Sequence, residues 1–319
     1  MTGGVLPAAV RLTPAFDTER LATDLKKVAR HTWQRQQVSG YHGVPGERTE
    51  LDWRVLPLRS IGGDPARTDP GGPGPADFAP TPWLTCLPYL TQVLDSLPGP
   101  VCAARLMALG PGTASHTHSD PKYAVTRGFV RLHLPIVTNP AAVLTLDGVE
   151  RRWQPGELWC GQFARPHAVR NDGATSRIHL VTDMLISTGL AEMFPDDLRP
   201  VLHAQALFTG PDRDGATPAD VTVDLPATFT DFAHDHPAAA PAAAAPARIT
   251  VAGSRGLLTT ADGRKFTLAH LGGGEFRFTG WSGQRTLHLG EATLTLRTRT
   301  GTADPHELSL PYLRKEIPC

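Results

Sequence analysis

Apolar and polar positions change rhythm along this chain. Between Asp17 and His31, Leu21, Leu25 and Val28 recur at helical spacing with charges between them, which predicts an amphipathic helix. Leu90–Leu97 reads as a second, short helix that can start only after Pro88. From Val101 the period becomes that of strands. Val101–Leu109 is mostly apolar, Gly128–Val137 alternates, and Val143–Leu146 and Val149–Trp153 flank Asp147-Gly148, a two-residue hairpin signal. After the Pro155-Gly156 turn come strands at Glu157–Cys160 and Arg177–Asp183, and then a helical pattern over Asp196–Leu207. A helical lead-in followed by many short strands predicts a mainly β sandwich or barrel rather than a βαβ fold.

Composition divides the chain further. Gly (31) and Pro (30) make up about a fifth of the 319 residues. Part of that excess lies in Gly62–Pro80, which reads as a surface loop. Another part lies in Pro237–Ala247, PAAAPAAAAPA, where recurring proline prevents a helix and predicts an extended linker. The expected organisation is therefore a body over 1–236, a linker over 237–247 and a small β-rich module over 248–319, alternating in EFRFTGW and ATLTLRTRT.

The 31 basic and 31 acidic residues cancel overall. Yet 21 basic and 25 acidic residues precede Arg248, and 10 basic and 6 acidic follow from it, so an acidic body carries a basic tail. A neutral chain disfavours a nucleic-acid or membrane-surface partner, and no apolar run reaches the roughly 18 residues of a membrane span. Four scattered cysteines (Cys86, Cys102, Cys160, Cys319) form no CxxC pair and fit a reducing, cytoplasmic setting.

Candidate chemistry concentrates between Ser115 and Asp183. In SHTHSDP, His116, His118 and Asp120 occupy alternate positions, and alternate residues of an extended segment share a face. His167 follows in ARPHAV, and Arg177 opens RIHLVTD ten residues later. An HxD pair plus a distant His composes the facial triad of non-heme Fe(II) oxygenases, which leaves cis positions free for a chelating co-substrate and O2. An Arg on the next strand can grip a carboxylate of that co-substrate. The same HTHSD also opens the HxHxDH motif of binuclear zinc hydrolases, but Pro121 stands where that motif needs a second-metal His.

Around these residues lie HSD at His118–Asp120, FVRLHLPIVTN at Phe129–Asn139, GELW at Gly156–Trp159, RPHAV at Arg165–Val169 and SRIHLVTDM at Ser176–Met184. With them the chain resembles the aspartyl/asparaginyl β-hydroxylase family of Fe(II)/2-oxoglutarate oxygenases, nearest its bacterial L-proline cis-4-hydroxylase branch, over most of residues 15–190. The resemblance implies a double-stranded β-helix (jelly-roll, cupin-like) with flanking helices, its core at about 100–190. It implies Fe(II) on His118, Asp120 and His167, 2-oxoglutarate held by Arg177 with His133 nearby, O2 as oxidant, and Arg131 on the substrate's carboxylate. Alternation agrees independently, since Arg131 and His133 share one face of their strand and Leu132 and Leu134 the other.

The implied activity is hydroxylation of an unactivated C–H of an Asp/Asn- or Pro-type side chain, with succinate and CO2 as co-products. A separate module behind a linker points to a peptide or carrier-bound substrate, in which case deleting 248–319 should spare turnover of a free amino acid only. The alternatives are a hydroxylase of free amino acid such as proline, another outcome at the same iron (desaturation or epimerisation), and a non-catalytic cupin-like metal-binding protein. Oligomeric state is not legible.

Overall fold

The computed structural model describes residues 4–38, 44–238 and 243–314. The body carries twelve strands in chain order: β1 (Ala9–Ala15), β2 (Gln34–Arg35), β3 (Trp53–Ile61), β4 (Phe78–Pro80), β5 (Val101–Leu109), β6 (Thr113–Ala114), β7 (Phe129–Val137), β8 (Ala142–Leu146), β9 (Val149–Arg151), β10 (Glu157–Gly161), β11 (His167–Asn171) and β12 (Arg177–Leu185). They form two antiparallel sheets, one ordered β1-β10-β7-β12-β5-β3-β2 with β4 on β3, the other β6-β11-β8-β9. This is the jelly-roll of a double-stranded β-helix.

Alternation sorts the two faces of the larger sheet. Val130, Leu132, Leu134 and Ile136 of β7 join Leu56, Leu58, Leu106 and Leu180 in an apolar layer under the helices, while Arg131 and His133 point the other way, toward the smaller sheet. Each leucine buried there contributes roughly 1.5–3 kcal/mol.

The first helix, α1 (Thr18–Val28), starts where Asp17 accepts from the backbone N–H groups of Glu19 and Arg20 and buries Leu21, Leu25 and Val28. The second, α2 (Pro88–Asp95), starts two residues before the expected Leu90, because Pro88 occupies its first position, where no N–H is needed. Asp24 of α1 is 2% exposed because it caps α2, accepting from Tyr89 N and Leu90 N at 2.8 and 3.0 Å. The Asp147-Gly148 turn joins β8 to β9 with φ of 54° and 76°, the two positive angles of a type I′ hairpin.

The C-terminal part differs from the expectation. Ala219–Pro226, assigned to the body by sequence, is the first strand of a nine-stranded antiparallel sheet whose order follows the chain. The last strand, Leu313–Arg314, returns to pair with Val221 and Thr222, so the sheet closes on itself as a barrel. Phe266, Phe276, Phe278, Leu258, Leu268 and Leu287 fill its interior.

Residues 244–247 of the Ala/Pro stretch lie inside the second barrel strand, Ala244–Ala252, paired with Val223–Pro226; residues 239–242 lie outside the described residues. Pro246 is tolerated there because pairing with the next strand begins only at Ala247, so its missing N–H faces no partner. Cutting the chain at 248 would therefore remove most of a closed barrel rather than detach a separate module.

The Gly62–Pro80 segment is also not the surface loop expected, since Thr68–Gly74 is buried between body and barrel. Its carbonyls are satisfied from both sides. Arg105 Nη1 donates to Thr68 O at 3.3 Å, Lys122 Nζ to Gly71 O at 3.0 Å, and Thr267 N of the barrel to Gly74 O at 2.8 Å. Gly280 of the barrel, at φ +74°, lies so close that an added Cβ would stand 2.8 Å from Gly72 O. Gly280→Ala is expected to lower stability by about 1–3 kcal/mol through that strain; equilibrium unfolding in denaturant checks it, and an unchanged midpoint would contradict the close approach.

Candidate active site

Thr113–Asp120 runs antiparallel to the segment ending in β11. Ser115 N donates to Val169 O at 2.8 Å, His118 and His167 exchange both backbone hydrogen bonds (3.0 and 2.8 Å), and Asp120 N donates to Phe163 O at 2.8 Å. This zipper carries His118 and Asp120 against His167. One donor atom from each of the three lies within 4.8 Å of the others.

The tautomers are set from behind. His118 Nδ1 lies 2.9 Å from His116 O and His167 Nδ1 3.0 Å from Arg165 O, so each Nδ1–H donates to a carbonyl and each Nε2 is left as the free donor atom. His116 thus serves through its backbone, and its ring is not in the cluster. Burial lowers the pKa of His167, keeping the imidazole in the neutral, ligating form.

Arg131 reaches the cluster by its side. Its Nη1 donates to Asp120 Oδ2 at 2.8 Å, while Nε and Nη2 grip Asp183 at 2.7 and 3.2 Å. The guanidinium lies over the Tyr123 ring, 3.8 Å from its centroid. Asp183, 0% exposed, also accepts from Arg105 Nη2 (3.1 Å) and Tyr123 OH (2.8 Å). Burial would push this carboxyl up, but Arg131 and Arg105 outweigh it and hold it below its ordinary value. Asp183 is thereby committed to Arg131, Arg105 and Tyr123.

A cavity of about 290 Å³ opens on the three residues, and Arg131, His133 and Arg177 also line it. Trp53, Met107, Leu144, Phe163, Val169 and Val181 form apolar walls, and Gln36, Val38 and Pro70 complete the lining. Arg177 is 6% exposed, and no acidic side chain pairs with it among the described residues. Its Nη2 donates to His179 Nδ1 at 3.0 Å, and unopposed burial brings its pKa down to about 9.

His133 stacks on Phe163 with ring centroids 4.9 Å apart and lies 3.4 Å from His179 Nδ1 through its own Nδ1. Burial first, then the neighbouring Arg177, hold both imidazoles well below their ordinary pKa, hence neutral. His133 Nε2 is buried without a partner among the described residues.

All six sequence-predicted residues therefore surround one cavity. Sequence reading missed Asp183 as the anchor of Arg131, and Tyr123, Arg105, Phe163 and Gln36 altogether. One signal was available: Arg105 is the lone charge in the apolar run VCAARLMAL, and such a charge, once buried, requires a carboxylate.

The arrangement can do two things chemically. Two imidazoles and a carboxylate on one side of a cavity suit a divalent transition metal with open positions. A buried, uncompensated guanidinium in the same cavity is a seat for a carboxylate brought by a ligand.

A family model described as Aspartyl/Asparaginyl beta-hydroxylase matches residues 16–186. Among solved structures, a Pseudomonas putida prolyl-4-hydroxylase matches at 14% identity and a TM-score of 0.34, covering 56% of this chain and 92% of that one. A non-heme monooxygenase in a nickel complex matches at 15% identity and a TM-score of 0.31, covering 56% and 73%. A predicted oxalate decarboxylase from Thermotoga maritima matches at 16% identity and a TM-score of 0.23, covering 30% and 74%. No curated protein sequence matches the chain. No helix among the described residues is long and apolar enough to cross a membrane.

Proposed function

Because this chain belongs to the aspartyl/asparaginyl β-hydroxylase family, we propose that it is an Fe(II)- and 2-oxoglutarate-dependent dioxygenase that hydroxylates an unactivated C–H of an Asp/Asn- or Pro-type side chain. The observation that carries this reading is Arg177, a buried guanidinium without a carboxylate partner among the described residues, in the cavity that holds His118, Asp120 and His167.

The residues present fit both groups. His118, Asp120 and His167 would hold the metal through two nitrogens and one oxygen, and Arg177 would meet the distal carboxylate of 2-oxoglutarate. When bound, iron and its co-substrate supply the oxidising chemistry that activates O2.

The protein's part is positional. The carbonyls of His116 and Arg165 fix the two imidazole rings. Arg131, anchored on Asp183, holds and orients the Asp120 carboxylate. Arg177 donates to His179 Nδ1, which places that imidazole's proton on Nε2. Trp53, Met107, Leu144 and Val181 exclude water from the reacting carbon.

The cavity lies at the lower end of the roughly 300–1,000 Å³ usual for ligand pockets. Its volume suits the co-substrate beside one amino-acid side chain. This size supports a peptide or carrier-bound residue entering by its side chain, and a free amino acid such as proline fits the same volume. Three described cysteines are free thiols, which supports a reducing, cytoplasmic setting.

Incubation with Fe(II), 2-oxoglutarate and O2 should yield succinate and a product heavier by one oxygen atom, with free proline and with short Asp-, Asn- or Pro-containing peptides compared side by side. Absence of succinate with every substrate would overturn the enzymatic reading in favour of a non-catalytic cupin-like protein. Arg177→Leu is expected to raise the KM for 2-oxoglutarate by about 30- to 4,000-fold, the loss of a buried charge pair worth about 2–5 kcal/mol. Bound iron should stay stoichiometric, and thermal stability should hold, because the substitution removes a desolvated charge rather than orphaning one. A KM within threefold of wild type would remove Arg177 from this role.

A further inference from the structure

A second convergence of donors lies outside the cavity. The segment 231–236 belongs to the crossover between the first two barrel strands, and one donor atom from each of Asp231, His234 and His236 lies within 4.8 Å of the others. Asp231 Oδ2 stands 3.0 Å from His234 Nδ1 and 3.0 Å from His236 Nε2. Donors bound at 2.0–2.1 Å around a tetrahedral ion are about 3.3 Å apart, so small ring rotations bring these atoms to that spacing.

The frame behind them is already rigid. Arg285, 0% exposed, donates through Nη1 to the carbonyls of Thr228, Phe229 and Asp231 (3.1, 3.1 and 2.5 Å) and through Nη2 to that of His234 (2.6 Å). The other carboxylate oxygen, Asp231 Oδ1, accepts from Ala233 N at 3.0 Å. Backbone and carboxylate are thus fixed before any ion arrives, as the outer-sphere bonds of a metal site fix its ligands. The approach is open, because the His234 side chain is 71% exposed.

Charge does not forbid a cation here. Asp231 already faces both imidazoles, and its second oxygen is taken up by the Ala233 N–H. The positive Arg285 and Arg127 are offset locally by Asp231 and by Asp235, which pairs with Arg127 and accepts from Gln284 Nε2.

We propose that Asp231, His234 and His236 form a second metal site, distinct from the cavity and selective for a borderline divalent ion such as Zn²⁺, Co²⁺ or Ni²⁺. Two imidazoles and a single carboxylate match those ions and not Mg²⁺ or Ca²⁺, which require mostly oxygen ligands. Solvent completes the coordination at the exposed side. A neutral imidazole shifts its proton to the far ring nitrogen to ligate, so the existing hydrogen bonds to Asp231 are exchanged for metal bonds without net proton loss. Since Asp235 ties the same segment to Arg127 in the body, an ion at this place stiffens the joint between body and barrel.

Metal-free protein titrated with Co²⁺, or with Zn²⁺ and element analysis after dialysis, tests this. Wild type should take up two equivalents, the His234→Ala/His236→Ala double variant one, His118→Ala one, and the combination none. His234→Ala alone should raise Kd at this site by at least about tenfold; the exposed position leaves folding intact, which circular dichroism verifies. Two equivalents retained by the double variant, or a wild-type stoichiometry of one that His118→Ala abolishes, would overturn the second site. The His118→Ala protein reads this site without the first, so a failure of the active-site assignment registers separately.

Discussion

Asp120→Ala is expected to lose stoichiometric Fe(II) and at least about 10³-fold of succinate formation. Removing only the outer-sphere partner of a metal ligand costs about 10–100-fold, and here one of three protein donors disappears. The loss should be chemical rather than structural. Arg131 surrenders a single bond, from Nη1 to Asp120, and keeps its two bonds to Asp183, so the thermal midpoint should change little. Iron content measured beside the melting curve decides the matter. Full iron occupancy with full succinate yield would dismantle the metal assignment.

The second large effect falls on stability. Asp183→Asn should cost about 3–5 kcal/mol at neutral pH, because Arg105, 1% exposed, would remain buried without its carboxylate and Arg131 would keep only Asp120. The pH dependence has a definite sign. The folded carboxyl is held below its unfolded value of about 3.9, so its contribution is complete above that pH and is lost as pH falls through the lower folded value. Denaturant unfolding of wild type and variant should therefore differ most at neutral pH and draw together below about pH 4. A gap independent of pH would show that packing, not charge, is what the substitution disturbs.

These two aspartates show why one part of the site was legible in the sequence and the other was not. His118 and Asp120 are two residues apart in an extended segment, and His167 is carried beside them by a hairpin-rich sheet, so alternation and order were enough to group them. Asp183 meets its partners Arg131, Tyr123 and Arg105 across 52, 60 and 78 residues, contacts created only when the sheet assembles. The barrel was misjudged for a related reason. Alanine and proline without donors to spare look like a tether, yet extended backbone with one unpaired side is also what Ala244–Pro246 needs beside Leu225 and Asp224. The Gly62–Pro80 segment was read as a surface loop, yet Phe78–Pro80 is β4 and Thr68–Gly74 is buried, because the groups that satisfy its carbonyls come from Arg105, Lys122 and Thr267, far along the chain.

The closure of the barrel by Leu313–Arg314 on Val221 and Thr222 also sets a timetable for synthesis. A ribosome working at about 5–20 residues per second spends roughly 5–20 s between the first barrel strand and the last. During that interval the jelly-roll is already outside, while Thr68–Gly74, which brings Pro70 to the catalytic cavity, still lacks Thr267 or Gly280 against its outer side. The outer support of Thr68–Gly74 is thus among the last contacts to form during synthesis, after every jelly-roll strand that carries the site.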